Sequence, residues 1–176
     1  SPIVGEARGS LLSARLGGPP GEDARVSDWL QFSAAPGPGA RALDAPVLGQ
    51  NGQEVRLRSL FHGPGFALLL FDGEATTEDG YRTLERAAQD VVQRAGDLVR
   101  PYVVVPLKER PRPLHWDGPV LLDPHFAVHH RYGAAAECLY LIRPDGYVSF
   151  RAQPARPDAL VAHLDLLLNA APATRA

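Results

Sequence analysis

The chain has 176 residues, 45% hydrophobic and 22% charged, with a formal net charge of −2. Such a composition suits one globular domain with a sizeable core plus an appendage, and the near-neutral charge argues against nucleic acid as a partner. Apolar runs such as Phe66–Phe71 are far too short to span a bilayer, and a lone cysteine, Cys138, cannot close an intrachain disulfide, so a cytoplasmic location is expected and a membrane is not.

The chain starts at Ser1 and contains no methionine, and Ser1-Pro2-Ile3-Val4-Gly5-Glu6 reads as the middle of a protein, so a piece of a longer polypeptide is expected. Residues 1–45 hold two clusters that oppose regular structure, Gly17-Gly18-Pro19-Pro20-Gly21 and Pro36-Gly37-Pro38-Gly39. Between them lies a short amphipathic stretch whose anchors are Trp29, Leu30 and Phe32. The region is expected to be an extended N-terminal arm laid over a globular body. Its large apolar groups must pack on that body or on a partner.

The body is expected over 46–170, followed by a tail at 171–176. Pro46-Val47-Leu48, the turn Gln50-Asn51-Gly52 and Val55-Arg56-Leu57 alternate as a half-buried hairpin does. Ser59-Leu60-Phe61 makes one turn, and Phe66–Phe71, apolar throughout, is a central strand covered on both faces. Over 79–95 the apolar positions Tyr81, Leu84, Ala88, Val91, Val92 and Ala95 recur at helical spacing, with Gly96 as the stop. Strands follow at 98–105 and 120–122, then a helix over 126–132 started by Asp123-Pro124. Leu139-Tyr140-Leu141-Ile142, the turn Arg143-Pro144-Asp145-Gly146 and Tyr147-Val148-Ser149-Phe150-Arg151 form a closing hairpin, with Gly146 supplying positive φ. A last helix covers 157–168. The fold class is therefore α/β: a thioredoxin-like sheet with flanking helices, preceded by the arm.

The segment where a thioredoxin keeps its thiols reads Asp72-Gly73-Glu74-Ala75-Thr76-Thr77 and carries no sulfur. The proline expected before the penultimate strand is also missing from Ala134-Ala135-Ala136-Glu137. Cys138 lies within that strand and is read as a core cysteine, because a reactive thiol needs a basic neighbour or a helix N-terminus to lower its pKa. His125 and His129, four apart, could share a helical face and offer two metal positions, with Asp123 as the nearest third ligand. Solvent-facing histidines explain His125, His129 and His130 equally well, and are preferred. Gly63-Pro64-Gly65 and Gly37-Pro38-Gly39 lack the third glycine and the following helix that a dinucleotide pyrophosphate requires, so no cofactor is assigned to these residues. The proline-broken 108–113 segment is read as a solvated loop, and Trp116 as packing. No catalytic, cofactor-binding or metal residue is assigned.

Tyr132-Gly133, the apolar strand after it and Arg143-Pro144-Asp145-Gly146-Tyr147-Val148 together resemble the C-terminal domain of FAD-dependent aromatic hydroxylases of the phenol and pentachlorophenol monooxygenase type. The Ser1-Pro2-Ile3-Val4 run and Gly39-Ala40-Arg41-Ala42-Leu43-Asp44 resemble the segment leading into that domain, with Leu43 in place of the usual proline. The resemblance implies that residues 1–45 link to upstream flavin and substrate domains of the same polypeptide. It also implies FAD and NADPH as cofactors of the parent, used to hydroxylate an aromatic ring. The expected function is a redox-inactive, structural domain that docks on those upstream domains or on a second copy as a homodimer. The alternatives are a free-standing redox protein using Cys138 alone, and a small-molecule binding module in the vacated cleft.

Overall fold

A computed structural model of the protein describes residues 5–8, 22–75, 79 and 81–170. The Ser1 to Val4 run, the Gly17 to Gly21 cluster, Thr76, Thr77 and the 171–176 tail lie outside the described residues. In chain order the elements are β1 (Gly5–Arg8), α1 (Glu22–Ala34), β2 (Pro46–Leu48), β3 (Glu54–Arg56), β4 (Phe66–Phe71), α2 (Arg82–Ala95), β5 (Val99–Val105), β6 (Val120–Leu122), α3 (Ala127–Arg131), β7 (Cys138–Ile142), β8 (Val148–Gln153) and α4 (Pro157–Ala170).

The strands form one mixed sheet in the order β1-β8-β7-β4-β5-β6-β2-β3. β4 is central, parallel to β5 and antiparallel to β7, as its unbroken apolar run requires. Side-chain alternation divides the core in two. Leu68 and Leu70 of β4 pack with Leu84, Ala88 and Val91 of α2 and Leu160 and Leu164 of α4. Leu69 and Phe71 pack on the other face, with Trp29 and Phe32 of α1, Val128 of α3, Tyr132 and Tyr140.

The arm is not extended throughout, and two parts of it join the body. β1 pairs in parallel with β8 and so adds a strand to the sheet edge. Glu22–Ala34 is helical, and its Trp29 and Phe32 are core residues while Leu30 stays 62% exposed. A helix exposes its last carbonyls, which need donors from elsewhere. Here the buried Arg151 guanidinium of β8 donates to the Phe32 and Ala35 carbonyls, and its Cζ lies 4.2 Å from the Phe32 ring centroid. Tyr132 donates its hydroxyl to the Leu43 carbonyl and Tyr140 donates to the Tyr132 carbonyl, fixing the chain that follows α1.

The β7–β8 hairpin forms as the sequence predicts. Arg143 and Tyr147 close the turn, with Arg143 N–H donating to Tyr147 O at 2.8 Å, and Gly146 has φ +87° with open space where a Cβ would stand. A β-branched residue there meets backbone strain but no clash, so Gly146→Val is expected to cost about 1–2 kcal/mol in urea unfolding. An unchanged midpoint would refute that role.

Candidate functional site

The thiol position of the fold lies where β4 ends. Asp72 stays on the sheet for one further residue, its N–H donating to Val104 O at 3.0 Å. Gly73 then takes φ +91°, and a Cβ there would stand 2.8 Å from both the Ala136 carbonyl carbon and the Glu137 nitrogen. Glu74 N–H donates to Ala135 O at 3.0 Å. The loop after β4 thus meets the loop before β7 backbone to backbone, and only glycine permits that approach.

Two carboxyls are buried at this contact: Asp72 is 3% exposed and Glu137 6%. Asp72 Oδ1 and Glu137 Oε2 have no hydrogen-bond partner among the described residues. Burial pushes the Asp72 carboxyl up to about 6. Burial, reinforced by Asp79 and Asp72, pushes Glu137 up to about 8. The Tyr81 phenol, at the start of α2, is raised by burial and by Asp72.

Cys138 follows Glu137 and packs on the opposite face with Phe71 and Tyr132. It is free and fully buried. Burial, then the Glu137 charge, pushes its thiol well up, and Arg151 only partly offsets them. A thiolate is the reactive species, so this environment suppresses nucleophilic chemistry.

Of the three histidines, His125 and His130 are exposed as expected and His129 is buried. Asp123, one residue past β6, is buried, and its Oδ2 accepts the Val128 N–H at 3.1 Å, the His129 N–H at 2.9 Å and the His129 Nδ1–H at 2.8 Å. Burial alone would raise this carboxyl, but the His129 ring and the two amides outweigh it and hold it below the usual carboxylate range. Capping α3 in this way draws the His129 ring fully into the core, edge-on to Phe71 at 5.2 Å. Its Nε2 has no partner among the described residues. Phe126 adopts left-handed φ +59° to make the turn. His125 remains exposed, and His130 Nε2 lies 3.0 Å from Glu74 Oε1. His129 and Asp123 are thus brought together by a buried hydrogen bond between the His129 ring and the Asp123 carboxylate. Among the described residues no group of three or more His, Cys, Asp or Glu is placed to hold a metal ion.

Other expectations are settled locally. Trp116 is partly buried against the α2-side core, its Nε1–H donating to Pro119 O at 3.2 Å. In the loop after β5, Lys108 and Glu109 are exposed. In the sequence the acid pair shows only as an aspartate directly after an all-apolar central strand and a glutamate directly before the penultimate strand.

No protein-family model matches the chain. The 6-methylpretetramide 4-monooxygenase of Streptomyces rimosus is 32% identical over 111 residues, which are 63% of this chain and 17% of that protein. Aklavinone-11 hydroxylase, solved as a ternary complex with FAD and aklavinone, aligns with a TM-score of 0.54 at 28% identity, over 76% of this chain and 21% of its own. A pneumococcal exposed lipoprotein thioredoxin from Streptococcus pneumoniae aligns with a TM-score of 0.53 at 20% identity, over 71% of this chain and 100% of its own. The fold is thioredoxin-like, and the resemblance to the C-terminal domain of FAD-dependent aromatic hydroxylases holds. The chain spans less than a quarter of either hydroxylase it matches.

Proposed function

We propose that this chain is a redox-inactive thioredoxin-like domain at the C-terminal end of an FAD-dependent aromatic-ring monooxygenase, with a structural and docking role toward upstream flavin and substrate domains. The observation that carries this reading is its similarity to a part of two hydroxylases, each several times longer than the stretch it matches. The site chemistry supports the same reading. Asp72, Gly73 and Glu74 occupy the thiol position, and Cys138 is sealed among Phe71, Tyr132 and Tyr140. On this reading residues 1–45 continue from the flavin domain, 46–170 form the docking body, and FAD and NADPH act in the parent on an aromatic substrate. A second copy of the chain is an alternative docking partner. No helix among the described residues is long and apolar enough to cross a membrane, and a cytoplasmic location is proposed with the rest.

The decisive test is the intact mass of the protein as its cells make it, where a species of several hundred residues supports the reading and one of this length refutes it. Activity supplies a second test. The purified chain is expected neither to reduce insulin disulfides nor to consume peroxide, because its buried thiol holds its proton. Activity that disappears in Cys138→Ser would instead establish the single-cysteine redox protein. Micromolar FAD binding by this chain alone would likewise count against a purely structural role, and sedimentation would reveal self-association.

A further inference from the structure

We propose that Asp72 and Glu137 form a proton-linked latch, which holds the loop after β4 against the loop before β7 while the pair keeps a proton and releases it when both carboxyls are ionised. β4 and β7 are antiparallel neighbours with Phe71 opposite Cys138. Asp72 and Glu137 are the next residues outward on that pair of strands. Since successive side chains alternate across a sheet, both belong to the face opposite the Phe71 and Cys138 side chains, the face that α2 covers. Two carboxyls side by side out of water cannot both ionise cheaply, whereas one proton between them removes the repulsion.

Among the described residues, the neighbours of the pair are as follows. From the turn before α2 come Asp79, which accepts the Thr83 hydroxyl at 2.7 Å, and the Tyr81 phenol. The Arg82 guanidinium donates to the Asp79 backbone carbonyl. From β7 comes the Cys138 thiol, on which Arg151 of β8 acts while bound to the α1 carbonyls. Glu74 of the latch loop is engaged by His130 of α3 and acts on Asp28 of α1. The charges acting on Glu137 are Asp79 and Asp72, both acidic.

The mechanical link is the Glu74 N–H to Ala135 O hydrogen bond beside the close approach at Gly73. Both carboxyls hold protons more tightly folded than unfolded, to about 6 for Asp72 and about 8 for Glu137. Between the ordinary carboxylate range and those values the folded chain carries the extra protons. The stability they contribute is complete in acid and is lost as pH rises through about 6 and then about 8.

The test is amide hydrogen exchange on the 176-residue chain, corrected for intrinsic rates, at pH 6 and pH 9. Protection of the Glu74 amide is expected to fall at least about tenfold across that interval. Glu137→Gln is expected to keep the Glu74 amide within about twofold across the same interval. No fall in the parent chain or an equal fall in Glu137→Gln would overturn the latch. Should Glu137→Gln not fold, carboxyl-carbon NMR titration of the parent decides. A Glu137 midpoint above about 6 supports the latch, and one in the ordinary carboxylate range overturns it.

Discussion

Phe32→Ala is expected to destabilise the chain by about 3–5 kcal/mol in urea unfolding, the cost of a large cavity in a core that relaxes only partly. The residue is fully buried, its ring centroid is 5.6 Å from those of both Trp29 and Tyr140, and the Arg151 guanidinium lies over its face. Removing the ring deprives that buried cation of its aromatic partner as well as opening a void. Leu30→Ala, two residues away on the exposed side of the same helix, is expected to change stability by no more than about 0.5 kcal/mol. The contrast tests whether α1 belongs to the folding unit. A cost below about 1 kcal/mol at Phe32 would mean that the helix is an appendage after all.

Gly133→Ala is expected to cost about 3 kcal/mol or more, for a reason that Gly146 does not share. Gly133 has φ +59°, and a Cβ there would lie 2.3 Å from the Gln31 carbonyl oxygen and 2.8 Å from the Phe32 Cα. Those atoms are α1 backbone and cannot rotate aside, so the helix must lift. Gly146→Ala, at φ +87° in open space, carries the conformational strain alone, about 1 kcal/mol. The difference between the two measures the helix contact. Equal costs at the two glycines would refute the close approach.

Elements with strong local periodicity were legible before the structure. β4 could be read from six apolar residues in succession, and α2 from Leu84, Ala88 and Val91 on one face, although it starts at Arg82, later than the pattern predicts. The β7–β8 turn was written into Pro144-Asp145-Gly146. Helix α1 was not legible, because Pro/Gly clusters flank it and what secures it, Arg151, stands 119 residues from Phe32. The spacing of His125 and His129, with Asp123 nearby, offers metal-ligating types on one helical face. Spacing does not show that the Asp123 carboxylate accepts the Val128 and His129 amides at the start of α3 as well as the His129 ring. The acid pair was missed because Asp72 and Glu137 are 65 positions apart and only the β4–β7 register makes them neighbours.

The anchoring of α1 by Arg151 sets an order of events during synthesis. The ribosome releases the helix more than a hundred residues before the strand that receives it. Its seat is built last, from Gly133, Tyr140 and Arg151. Contacts of such sequence separation form late and slowly. Throughout elongation, Trp29 and Phe32 therefore travel uncovered beside whatever has already folded ahead of them. A nascent chain arrested before β8 emerges should expose them to chaperones, and one released past it should not.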